Sequence, residues 1–172
     1  GSGAGKRVQA FGGAKNHMVV MPDADMSFAA DAAVSASFGS TGQRCMAVSV
    51  VVAVGGCGDD LVQAIADRAL HVDVGPASRA DAEMGPLISA AAKARVVGAI
   101  ERAEQAGAQL RLDGRKHPLA DGSEGYFVGP TVVDEVTTEM DVYKDEVFGP
   151  VLSVVRVDTL EEAIATIDAN PY

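Results

Sequence analysis

The 172-residue sequence has no tryptophan, only 5% aromatic residues and just two cysteines. Cys45 and Cys57 are too few for a disulfide framework and too far apart for a zinc ribbon or redox motif. The plain reading is a reduced, intracellular protein. No apolar run approaches the ~18 residues of a membrane-spanning helix, and the N-terminus lacks the charged-then-apolar pattern of a secretory signal. These absences point to the cytoplasm, or to the mitochondrial matrix if the source is eukaryotic, and away from a membrane partner. Basic residues are in deficit: 14 Lys and Arg against 24 Asp and Glu leave a formal net charge of −10. That excludes the basic stripe with which proteins hold nucleic-acid phosphates. Repeats, low-complexity tracts and long linkers are absent too. The three histidines, His17, His71 and His117, have no metal-ligand spacing; they read as surface or edge residues, and no metal is expected.

What is present suits one ordered domain. Hydrophobic residues make up 48% and charged residues 22%, too apolar for a disordered chain. A chain of this length can bury roughly two-thirds of its unfolded surface. His17–Met21 is a short strand candidate. Apolar residues at helical spacing over Met26–Phe38 predict a helix with Asp25 as N-cap and Gly39 as stop. Met46–Val54, nearly all apolar and β-branched, reads as a strand buried on both faces. Leu61, Ile65, Ala69 and Val72 mark a second helical face, and Ser89–Ala106 a third helix capped by Ser89. Ala108–Leu112, Tyr126–Val136 and Val151–Val157 read as strands, with a polar loop at Asp113–Gly125. Thr159–Glu162 is a capping box opening a last short helix. Strands alternating with helices imply an α/β domain with a largely parallel sheet flanked by helices. The chain opens on glycines, with residues 1–5 a flexible leader, and ends directly after a helix. It reads as one domain, 1–172, excised from a longer polypeptide.

Gly1–Lys6 (GSGAGK) fails as a phosphate loop, because no strand precedes it and Arg7 rather than Ser or Thr follows the lysine. Gly12-Gly13-Ala14 fails as a dinucleotide fingerprint, since its strand follows it instead of preceding it. Cys45 stands out. It lies in a glycine-rich segment between a helix end and a buried strand, where backbone can approach a substrate closely. Arg44 beside it can stabilise a thiolate or hold an anionic substrate. Position alone leaves two readings open: nucleophile, or small buried hydrophobe at a strand start. Cys57, at the far end of that strand, reads as packing.

FGSTGQRCM (Phe38–Met46) resembles the nucleophile segment of the aldehyde dehydrogenase superfamily. MGPLIS (Met84–Ser89), GYFVGPTV (Gly125–Val132) and DEVFGPV (Asp145–Val151) recur in that family's order. The resemblance implies the catalytic domain of such an enzyme, with most of the NAD site outside this chain. By position it makes Cys45 the nucleophile, Glu146 the residue contacting the nicotinamide ribose, and Phe148 the aromatic positioning the nicotinamide. The oxyanion hole would combine the Cys45 N–H with an Asn from outside the chain. Most family members carry a Glu general base opening an E-L-G-G-K segment; the matching stretch here is Phe11-Gly12-Gly13-Ala14-Lys15, and Phe11 cannot accept a proton.

That departure has a chemical consequence. Water needs a positioned base, worth about 10²–10⁴-fold, to cleave a thioester on Cys45. A thiol such as coenzyme A is already a competent nucleophile. The segments GAKNH (Gly13–His17) and VVMPDA (Val19–Ala24) resemble the acylating methylmalonate-semialdehyde dehydrogenase branch. This implies an NAD-dependent oxidoreductase of valine and pyrimidine catabolism that takes malonate or methylmalonate semialdehyde to acetyl-CoA or propanoyl-CoA with release of CO2. The resemblance also implies a homo-oligomeric parent and an inactive isolated domain. Arg44 is the candidate for the substrate carboxylate, with a surface salt bridge as the alternative. Two rival readings stand beside it: a hydrolytic aldehyde dehydrogenase releasing a free acid, and a non-catalytic binding or structural domain.

Overall fold

The computed structural model describes residues 2–122 and 125–172. Gly1 of the expected leader, and residues 123 and 124 of the expected polar loop, lie outside the described residues. Residues 2–4 form an exposed 3-10 turn. The centre of the fold is a five-stranded sheet ordered β1-β2-β5-β4-β3. Strands β1 (Asn16–Val20), β2 (Val48–Val54), β4 (Thr131–Asp134) and β5 (Val151–Val157) run parallel. Only β3 (Gln109–Leu112) is antiparallel, pairing with β4. The expected α/β architecture with a largely parallel, helix-flanked sheet is therefore what the chain adopts.

β2 shows why the sheet is covered on both sides. Val50, Val52 and Val54 face one apolar cluster, and Val51 and Ala53 the other; all five are buried. The first cluster is closed by α3 (Ala90–Gln105) and α5 (Leu160–Asp168), through Val96, Ile100 and Ala163. The second is closed by α1 (Met26–Phe38) and α2 (Gly58–Leu70), through Ala33, Phe38, Leu61 and Ile65. Each fully buried aliphatic side chain contributes about 1.5–3 kcal/mol relative to exposure, which favours this two-layer arrangement over a half-exposed sheet.

The caps follow local chemistry. Asp25 accepts the Phe28 N–H at 3.0 Å and Ser89 the Ala92 N–H at 3.1 Å. Thr159 accepts the Glu162 N–H at 3.2 Å, but the Glu162 carboxylate reaches back to the Asp158 N–H, one residue before the box position. Other expectations shift. The long strand begins at Val48, with Met46 83% exposed. The strand expected over Tyr126–Val136 contracts to Thr131–Asp134, because Gly129-Pro130 precede it and Glu135 turns left-handed at φ 55°. One helical turn, α4 (Asp141–Lys144), has no sequence signal long enough to detect. Asp134 is buried and grips Arg156 of β5 through two bonds of 3.1 and 2.8 Å.

Candidate active site

The named residues gather at one end of the sheet. Lys15 immediately precedes β1, Cys45 lies just before β2, and Glu146–Gly149 lead into β5. These three strands are neighbours in the order β1-β2-β5, so segments over 100 residues apart in sequence meet at the N-terminal edge of the parallel strands.

Cys45 is exposed, in a turn rather than in the strand. The reading as a buried strand-start hydrophobe is thereby excluded. The turn is closed by the Ala47 N–H donating to Arg44 O at 3.1 Å. Asn16 braces it from β1, its side-chain amide donating to both Cys45 O and Ala47 O at 2.9 Å. Upstream, the chain leaves α1 not by a left-handed Gly39 but by three successive left-handed residues, Ser40, Thr41 and Gly42. Left-handed conformation is uncommon for residues with a Cβ, and here tertiary bonds sustain it. The Thr41 hydroxyl donates to Gly85 O at 2.9 Å, and Gln43 Oε1 accepts the Ile88 N–H at 3.1 Å. An added Cβ at Gly42 would collide with the Gly149 carbonyl. Leu87 N–H in turn donates to Tyr126 O at 2.9 Å. The segments 84–89 and 145–151 thus meet the loop that carries Cys45, and the segment 125–132 reaches it through Leu87.

Arg44, Met46, Phe148 and the Ala32–Ser35–Ala36 face of α1 share an open cleft with Cys45. The Arg44 guanidinium makes no ion pair among the described residues. Its Nη2 donates to Ser35 O and Ala36 O at 3.3 and 3.1 Å, in the last turn of α1, where Ser35 O also accepts the Gly39 N–H. Gly39 gives it room: a Cβ there would lie 2.6 Å from Nη2. Phe148 is left-handed at φ 52° and 37% exposed, the kind of backbone strain, of order 1–3 kcal/mol, that persists where surroundings impose it. It lines the Cys45 cleft and an adjoining hollow that also contains Lys15 and Glu146. Phe11 is 86% exposed and lines neither.

Two residues of the site, Lys15 and Asn16, stand in the sequence only as members of the Phe11–Lys15 stretch and of GAKNH. Lys15 is buried, and its ammonium donates to Val142 O and Asp145 O, both at 2.6 Å. Burial pushes it down to about 8, against the opposing pull of Asp145 and Glu146. His17 does lie on the edge strand but is half-buried, its Nε2 3.2 Å from the Tyr143 hydroxyl, which donates to Thr166 O. Burial lowers its imidazole below the ordinary value. The available signal was the polar run Lys15-Asn16-His17 opening directly onto the apolar Met18-Val19-Val20. Among the described residues, no group of three or more His, Cys, Asp or Glu could hold a metal ion, and no helix is long and apolar enough to cross a membrane.

This geometry can be set against known proteins. The aldehyde dehydrogenase family profile matches residues 1–172. Malonate-semialdehyde dehydrogenase 1 of Geobacillus thermodenitrificans is 51% identical over 168 residues, covering 98% of this chain and 34% of the relative. Malonate-semialdehyde dehydrogenase of Pseudomonas aeruginosa is 47% identical, covering 100% of this chain and 35% of the relative. The crystal structure of methylmalonate-semialdehyde dehydrogenase from Oceanimonas doudoroffii superposes with a TM-score of 0.93 at 49% identity, over 99% of this chain and 35% of that one. The aldehyde dehydrogenase of Mycobacterium tuberculosis, solved with NAD+, gives 0.87 at 33% identity, over 93% of this chain and 33% of that one. The chain thus spans about a third of the length of the curated relatives it matches. On this agreement of sequence and fold, the chain belongs to the aldehyde dehydrogenase family.

Proposed function

We propose that this chain is the nucleophile-bearing catalytic domain of an NAD-dependent, CoA-acylating semialdehyde dehydrogenase. Its substrates are malonate or methylmalonate semialdehyde, and its products acetyl-CoA or propanoyl-CoA with CO2. The observation that carries this reading is the lining of the Cys45 cleft. It contains a thiol, a guanidinium, a thioether, an amide, a hydroxyl and an aromatic ring, with no carboxylate or imidazole among them. The lining supplied by the described residues can carry a thioester and offers no side chain suited to activating water, which favours a thiol co-substrate as acyl acceptor. The named relatives above support the substrate class.

In this reading Cys45 sulfur attacks the aldehyde carbon, forming the C–S bond of a thiohemiacetal. Its oxyanion is met by the Cys45 backbone N–H and by a donor from outside the chain. Arg44 offers Nε and Nη1, which have no partner among the described residues, to the substrate carboxylate. The residues at the adjoining hollow fit NAD: Glu146 is a half-buried carboxylate able to accept from ribose hydroxyls, and Phe148 presents an exposed aromatic face. NAD, when bound, supplies the hydride acceptor that turns the thiohemiacetal into a thioester. Cys45 then holds the acyl group until the sulfur of coenzyme A displaces it. Turnover belongs to a longer, homo-oligomeric parent, and the isolated chain is expected to be inactive.

The deciding measurement follows NADH formation by the full-length enzyme from malonate semialdehyde, with and without coenzyme A, and identifies the product by mass. Acetyl-CoA formed by the wild type but not by Cys45→Ala supports the acylating reading. Free acid released at the same rate without coenzyme A replaces it with a hydrolytic enzyme whose base lies elsewhere.

A further inference from the structure

Glu146 and Phe148 sit on a stretch, residues 145–149, that belongs to no helix or strand. Its geometry must be imposed from outside. The fastening points alternate with the functional positions. Asp145 O accepts from Lys15, and Val147 O accepts from Arg95 Nε of α3 at 3.3 Å. Glu146 and Phe148, between and beyond them, line the hollow beside the Cys45 cleft. Of the two fasteners, Lys15 is the buried and shorter-bonded one, and it also holds Val142 O in the last turn of α4. One ammonium therefore ties the edge of the sheet to both ends of the segment that leads into Phe148.

We propose that Lys15 is a positioning residue for cofactor binding: its charged clamp on Val142 and Asp145 fixes where Glu146 and Phe148 stand, and NAD affinity depends on that charge. This rests on the reading of Glu146 and Phe148 as NAD contacts. Hydrogen bonds from an ammonium are roughly twice as strong as those from a neutral donor, so losing the proton loosens the clamp without emptying it. The charged groups that face Lys15 are Asp145 and Glu146, which favour its proton. His17, two residues along β1, has its own imidazole lowered by burial first, and the Lys15 charge adds to that.

The proposal separates function from stability by sign. Burial pushes Lys15 down to about 8 in the fold, from an ordinary 10.5. Between these values the unfolded chain binds more protons, so this group makes folding stability rise with pH. NAD affinity should instead fall as pH climbs through about 8. Binding of NAD to the full-length enzyme would be measured by calorimetry from pH 6.5 to 9.5 for the wild type, Lys15→Met, Lys15→Arg, Glu146→Gln and Phe148→Ala. The wild type should lose roughly tenfold in affinity across this range, a loss of about one charge-assisted increment. Lys15→Met, close in length, should bind about tenfold more weakly at pH 7 with a flat profile, and Lys15→Arg should restore much of the affinity. A flat wild-type profile, or a folded Lys15→Met enzyme binding as tightly as wild type, overturns the role of Lys15. If Lys15→Met does not fold, Lys15→Gln, which keeps a neutral donor, takes its place: affinity equal to wild type at pH 7 would overturn the role of the charge. Unchanged affinity in both Glu146→Gln and Phe148→Ala instead overturns the underlying reading of the cofactor contacts.

Discussion

The two cysteines stand at opposite ends of β2, and their surroundings have almost nothing in common. Cys57 is 6% exposed and packs with Leu61, Val62 and Val20; its thiol donates to Val54 O at 3.1 Å. Packing accounts for it completely. Cys45 is exposed, joins neither apolar cluster, and sits in a turn stabilised by an asparagine from another strand. No stability argument requires a sulfur there. The contrast fits the nucleophile role proposed for Cys45: the fold spends its bonds on a turn that holds this side chain outside the core.

The largest effects should come from chemistry that tells the two thiols apart. In the isolated chain, iodoacetamide should modify Cys45 at least about 10³-fold faster than Cys57, whose exposure requires opening of a core held by several kcal/mol. Mass mapping of the modified peptides checks this, and comparable rates would dissolve the distinction. In the full-length enzyme, Cys45→Ser should cost at least about 10³-fold in kcat, as loss of an enzymatic nucleophile typically does. Next is Gly42→Ala. Its backbone is left-handed and the added methyl meets the Gly149 carbonyl, which as main chain cannot step aside. We expect a loss of about 3 kcal/mol, seen as a Tm lower by about 6–12 °C for a chain of this size. A shift below 2 °C would mean that the loop and the Glu146–Gly149 segment are not in contact.

Much of this was legible in the sequence, for a physical reason. β2 is continuously apolar because both of its faces are covered, and α1, α3 and α5 carry cap residues whose side chains reach only local backbone. Such signals need no knowledge of distant neighbours. The contacts that shape the site are of the other kind. Lys15 grips carbonyls 127 and 130 residues away, and Thr41 one that is 44 residues away. The sequence leaves Arg44 open as a carboxylate ligand or a salt-bridge partner; what it does not reveal is that Nη2 donates to α1 carbonyls, a contact that depends on Gly39 lacking a side chain. Left-handed Ser40, Thr41 and Phe148 had no local signal, since none of these residue types favours that conformation.

Two smaller effects refine the comparison. Asn16→Ala removes both amide bonds to the Cys45 turn. The turn should survive on its own Ala47–Arg44 bond but wander, lowering kcat/KM of the full-length enzyme roughly tenfold, because small misplacements of a reacting group are costly. Its effect on Tm should be slight, since the bond to Cys45 O is exposed and the bond to Ala47 O is only partly buried. Cys57→Ala should show the reverse. It exchanges a thiol for a methyl in the cluster of Leu61 and Val62, at a cost of about 1 kcal/mol in stability, while kcat/KM stays within about twofold because no bond connects Cys57 to the Cys45 loop. If Asn16→Ala lowered Tm as much as Cys57→Ala without touching kcat/KM, the asparagine would be a structural brace like any other. The exposure of Cys45 would then be a property of the turn alone.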